Sequence, residues 1–163
     1  MLFRSPDALV YLIEALQFAN GDFNDLGNRF VWPLLLSFFF HFVNFPSYFE
    51  YANLMKVISV IISSVTIFVL FTITKKLVGE RPALISAFLF AIEPNIIENS
   101  TFAIREPVFL LIGLVSIYFV INKNTRFIAL AFVLAGVSWD TRINGIAIFF
   151  TVLISVFIRI KEK

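Results

Sequence analysis

A chain of 163 residues that is 60% hydrophobic, carries 22 Phe and is only 15% charged has more apolar side chains than one soluble core of that size can hide. Its formal net charge of +2, with no basic stripe, gives no footing for nucleic acid. The absence of Cys excludes thiol and zinc–thiolate chemistry, and a single histidine, His41, leaves little for a His-based metal site or a Ser-His triad. The apolar runs are continuous rather than alternating, so the composition points to an all-α polytopic membrane helix bundle and not to a barrel.

Residues 7–19 read as an amphipathic helix that begins at Pro6-Asp7 and ends at Gly21. Asp7, Tyr11 and Glu14 fall at i, i+4 and i+7 on one stripe, with Leu9, Val10, Leu12, Ile13 and Leu16 opposite. Such a helix lies in the membrane interface or forms an ordinary surface helix. Residues 31–45 are apolar but too short for a span; Pro33 and His41 fit a juxtamembrane or re-entrant helix. Tyr48, Phe49 and Tyr51 then suit an aromatic belt. Residues 57–74 are eighteen uncharged residues between Lys56 and Lys75, the clearest span. After the basic loop Lys75 to Pro82, further apolar runs end at Glu93-Pro94, at Asn122, at Asp140 and at Arg159. The expected organisation is an outer segment, 1–53, followed by a bundle, 54–163. Its five spans are placed near 54–74, 82–101, 104–122, 126–142 and 143–160.

Charge gives these spans a direction. Lys75, Lys76, Arg81, Lys123, Arg126, Arg159, Lys161 and Lys163 crowd one side in short loops, whereas Arg4, Arg29, Lys56, Arg105 and Arg142 are spread over the other. The eightfold side is expected in the cytoplasm, with the C-terminus, and the protein in the cell membrane. Nine of the eleven carboxylates then lie outside. A span needs about 20 residues, which draws Glu93 or Glu98, Arg105, Glu106, Asp140 and Arg142 to or below the outer membrane surface. Three readings fit. The charges form structural ion pairs, Glu106 with Arg105 or Arg142 and Asp140 with Arg142. Alternatively the helices are short or tilted and the groups reach water. Or they form an acidic pocket in which Arg105 and Arg142 bind an anion such as a lipid phosphate.

Several of these segments resemble the polytopic glycosyltransferases of the GT-C type, the dolichyl-phosphate-mannose–protein mannosyltransferases and the aminoarabinose transferases. Pro6-Asp7, Tyr11 and Gly21-Asp22 are similar to the first outer loop of those enzymes, and Arg29-Phe-Val-Trp-Pro33-Leu-Leu-Leu to the juxtamembrane helix after it. Lys75-Lys76-Leu-Val-Gly79-Glu-Arg81-Pro resembles their basic cytoplasmic loop. Arg105-Glu106-Pro107 resembles a helix-opening acid-proline, and Asp140-Thr-Arg142-Ile-Asn-Gly145 the polar end of a later helix.

The resemblance implies transfer of a sugar from a polyprenyl-phosphate-linked donor to an acceptor on the extracytoplasmic face. It makes Asp7 the general base, puts Tyr11, Arg105 and Arg142 at the substrate, and makes Glu106 and Asp140 pocket acids or ligands of a divalent metal ion. The lipid bilayer and the lipid-linked donor are the implied partners. In the families' first motif a second acid follows the first, where this chain has Ala8, and six residues precede Asp7 in place of a span. A second membrane polypeptide supplying further helices is therefore also expected, and the alternative to catalysis is a non-catalytic or truncated subunit that keeps the helical scaffold.

Overall fold

The computed structural model describes residues 6–23, 30–122 and 125–161. Arg4 and Arg29, Lys123 of the second basic loop, and Glu162 and Lys163 lie outside the described residues, and so does the first residue of the motif that leads into Pro33. Eight α-helices and no strands occur among the described residues: α1 (Pro6–Ala19), α2 (Val31–Phe40), α3 (Tyr48–Val78), α4 (Glu80–Ile92), α5 (Pro94–Thr101), α6 (Glu106–Ile121), α7 (Thr125–Thr141) and α8 (Gly145–Lys161).

Local chemistry sets most of the boundaries. Gly21, at φ +82°, closes α1 in a Schellman turn: Asp22 N–H bonds Gln17 O and Gly21 N–H bonds Phe18 O. Pro33 sits in the first turn of α2, where its missing N–H is no loss. Ser47 caps α3 by accepting the Phe49 amide at 3.1 Å, and Gly79, at φ +98°, separates α3 from α4. Against the single span expected over 82–101, the helix breaks at Glu93. A residue before proline is pushed out of the helical region, and Glu93 adopts φ −64°, ψ 118°. Pro94 then restarts the chain as α5, which meets α6 at 118°.

Among the described residues one helix, α3, is long and apolar enough to cross a membrane by itself; α5 and α6 qualify only as a bent pair. At about 1.5 Å per residue, the 31 residues of α3 reach roughly 46 Å. The runs expected to span at 104–122, 126–142 and 143–160 are occupied by helices of 16, 17 and 17 residues.

Packing divides into two ends. At one, α1, α2, the N-terminal half of α3, the 101–105 turn and the start of α6 enclose a core of Tyr11, Leu12, Ala15, Trp32, Leu36, Phe40, Met55, Ile58, Ala103 and Val108. At the other, Val120, Ala131, Ala135 and Val152 join α6, α7 and α8. Ser116 Oγ donates to Ala131 O at 2.7 Å and ties α6 to α7. The lysine-rich end of α3 meets the C-terminal end of α6 where Lys76 donates to Asn122. Large apolar side chains such as Phe68, Phe88, Val133, Ile154 and Phe157 point outward, an arrangement suited to lipid.

The α1 stripe is corrected by this packing. Tyr11 is buried together with Ala8, Leu12, Ala15 and Phe18 against α2, while Leu9, Val10 and Ile13 are exposed. Phenol and aliphatic groups share the inward face because a Tyr ring carries most of its surface as hydrocarbon.

Candidate functional site

The end of the molecule opposite Lys75 and Lys76 carries Arg105, Glu106, Asp140 and Arg142. Three turns bring them there. The first is the reversal between α5 and α6, made by Ala103 in the left-handed region at φ +57°, a conformation that non-glycine residues adopt only when their surroundings enforce it. The enforcing contact comes from α2: the buried Trp32 Nε1 donates to Ala103 O at 3.1 Å. The second is the α7–α8 turn. Gly145 lies so close to the backbone of Ser138 and Trp139 that a Cβ there would overlap it, so only glycine lets α8 start against the last turns of α7. The third is the start of α2, whose Val31 amide meets α7.

Arg105 follows Ala103 by two residues and directly precedes α6. Its guanidinium carbon stands 6.0 Å from the centre of the Tyr11 ring, a cation–π distance that links α1 to α6. Its Nε and Nη1 are buried and make no hydrogen bond. Glu106 is the first residue of α6, where a carboxylate complements the helix dipole. Its Oε1 accepts Arg142 Nη1 at 3.1 Å, with side chains 17% and 39% exposed respectively, so the pair is partly shielded from solvent. Asp140, in the last turn of α7, accepts the Val31 amide, one of the free N–H groups at the start of α2. Its Oδ2 is buried without a partner.

Of the residues singled out in the sequence, Tyr11, Arg105, Glu106, Asp140 and Arg142 thus occupy one end of the bundle through contacts between α1, α2, α6 and α7. Asp7 is exposed on α1, one turn before Tyr11. Among the structural pairings weighed, Glu106 takes Arg142, whereas Asp140 takes a backbone amide in place of Arg142. Glu93 and Glu98 do not join: both are exposed, and Glu93 accepts from Asn95. Ala103 carries no charge and gave no signal in the sequence, and Trp32 entered only as part of the motif leading into Pro33, yet they set the turn that presents Arg105. No group of three His, Asp or Glu that could hold a metal ion occurs among the described residues, and Glu106 is committed to Arg142. The described residues therefore do not assemble a donor set for the divalent ion.

Two guanidinium groups and two carboxylates are thus found at this end, with buried nitrogen donors left over on Arg105, and guanidinium donors suit an anion. The dolichyl-phosphate-mannose-protein mannosyltransferase family model matches residues 31–162. The chain belongs to that family. No curated protein and no solved structure matches it. This mannosyltransferase-family chain is accordingly an integral-membrane, glycosyltransferase-like protein. The match runs from the first residue of α2 through α8 and takes in Arg105, Glu106, Asp140 and Arg142. Asp7 and Tyr11 precede it, and α1 is linked to the matched part through the Arg105–Tyr11 contact.

Proposed function

We propose that this chain transfers a sugar from a polyprenyl-phosphate-linked donor to an acceptor at the extracytoplasmic face of the cell membrane. The observation that carries the reading is Arg105, a guanidinium with two buried, unbonded nitrogens in a chain of this family; with Glu106, Asp140 and Arg142 it makes up the proposed niche. Its free donors suit the donor's phosphate, and Arg142, oriented by Glu106, adds a second positive charge. The acceptor hydroxyl oxygen attacks the anomeric carbon, the bond from that carbon to the phosphate oxygen breaks, and polyprenyl phosphate leaves. Asp7 takes the hydroxyl proton. Tyr11 holds Arg105 from beneath, and Asp140, fixed by the Val31 amide, lines the niche. No step is routed through a metal ion.

In this reading α3, α4 with α5, α6, α7 and α8 cross the bilayer, the shorter ones with local thinning or tilt. The lysine-rich end, with the C-terminus, faces the cytoplasm.

The test is transfer from radiolabelled polyprenyl-phosphate-mannose in membranes containing the full chain. Asp7→Asn is expected to lower the rate by roughly 10²–10⁴-fold, the range for a lost general base. Arg105→Gln is expected to lower it by about 10²-fold or more, as for a lost transition-state donor. Both variants should keep wild-type membrane yield. Unchanged transfer in Asp7→Asn removes that residue from the mechanism, and the absence of transfer by the wild-type chain leaves the scaffold subunit as the better reading.

A further inference from the structure

A groove of about 360 Å³ runs between α3 and α6, lined by Phe68, Val69 and Thr72 on one wall and Val115, Tyr118 and Phe119 on the other. It lies toward the lysine-rich end, away from the niche at Arg105, and the transfer chemistry has no use for it. Its lining is almost wholly apolar. The one aliphatic hydroxyl, on Thr72, is turned back onto Phe68 O at 2.8 Å, as a hydroxyl facing hydrocarbon must be. The size falls within the range of about 300–1,000 Å³ typical of clefts that bury small molecules.

The mouth of the groove has a different character. Lys76 stands one turn beyond Thr72 on α3; its ammonium lies 5.7 Å from the centre of the Tyr118 ring and donates to Asn122. An ammonium has three donors, and this side chain is exposed, so donors remain for a ligand. Lys75 is paired with Glu80 at 3.4 Å, and the exposed Arg81 adds positive charge to the same end.

We propose that this groove holds an acyl chain of an anionic phospholipid whose phosphate rests on Lys76. The apolar walls select a hydrocarbon chain, and the charge at the mouth selects the headgroup. A zwitterionic lipid fills the groove equally well but gains little from Lys76, whereas a basic residue near an anionic membrane surface favours binding by about fivefold.

The full chain would be reconstituted in an equimolar mixture of phosphatidylglycerol and phosphatidylcholine with identical acyl chains. It is then repurified, and the retained lipid is quantified by mass spectrometry. Phosphatidylglycerol should be enriched about fivefold, and the enrichment should shrink on raising salt. Lys76→Gln should bring the two lipids near parity. Thr72→Trp and Val115→Phe, which fill the groove from opposite walls and leave every charge in place, should each abolish the enrichment; the two variants guard against a folding failure in either. Equal retention of the two lipids by the wild-type protein overturns the proposal, and so does enrichment that survives Lys76→Gln. Enrichment that survives both groove-filling variants shows only a diffuse basic surface. A lipid-free groove buried in a dimer, seen as a doubled mass, shows a second copy in its place. None of these readouts depends on sugar transfer, so the groove and the catalytic reading fail separately.

Discussion

Trp32 does two jobs with one ring. Its apolar surface belongs to the core that also holds Leu12, Leu36 and Met55, and its N–H pins the carbonyl of a left-handed alanine 71 residues away. Trp32→Phe keeps most of the apolar bulk and deletes the pin. The Ala103 carbonyl is then buried without a donor, at a cost of about 1–3 kcal/mol. A lower unfolding temperature in detergent together with reduced sugar transfer is expected, because Arg105 follows in the same turn; a loss of stability with full transfer would uncouple that turn from the niche. This is also the scale at which the sequence is least readable. Arg105, Glu106, Asp140 and Arg142 stand out because ionisable residues interrupt apolar runs. The partners they find do not. Asp140 bonds the Val31 amide, and no side-chain identity at position 31 could have foretold a backbone contact. Tyr11 was assigned to the polar stripe by its hydroxyl, although the ring decides where it packs.

At the level of elements, lengths and caps were legible wherever punctuation and periodicity agree: Gly21 after α1, Pro33 in α2, Gly79 after α3 and Gly145 before α8 each sit at a helix end or in its first turn. Within the span expected over 82–101 the helix breaks between α4 and α5 at Glu93-Pro94, where the steric rule for residues before proline is the stronger local constraint. Two glycines, one at the start of α8 and one inside α7, give a direct comparison. At Gly145 a Cβ would collide with the backbone of α7, which cannot yield as a side chain would, so Gly145→Ala is expected to destabilise by about 1–3 kcal/mol. At Gly136, inside α7, nothing lies within 4 Å of the new methyl, so Gly136→Ala is expected to be neutral or to stabilise by about 0.5–1 kcal/mol through helix propensity. Denaturation midpoints of the two variants, measured side by side, check both; equal effects would mean that the α7–α8 turn opens more easily than its contacts imply.

For the molecule as a whole, the helices are joined by polar contacts at both ends. Lys76 meets Asn122 at one end, and Glu106 meets Arg142 at the other. The chain has no cysteine, so introduced ones report without background. Asp7→Cys and Glu98→Cys are expected to react with an impermeant maleimide from outside intact cells, and Leu77→Cys only after permeabilisation. Opposite reactivity of positions 7 and 98 would separate α1 from the niche and leave the proposed base on the wrong side.

From Tyr48 to Lys75, α3 climbs about 40 Å, close to the full depth of a bilayer with its headgroup layers, roughly 40–45 Å. Aromatic rings mark one end of that climb and ammonium groups the other, so the helix works as a gauge fixed at both tips. In a thinner sheet of lipid it can only lean, and α2 and the 101–105 reversal, packed on its upper half, lean with it. Reconstitution in lipids of graded acyl length should therefore tune the rate of sugar transfer through an optimum, with short-chain lipids disturbing Arg105 from a distance.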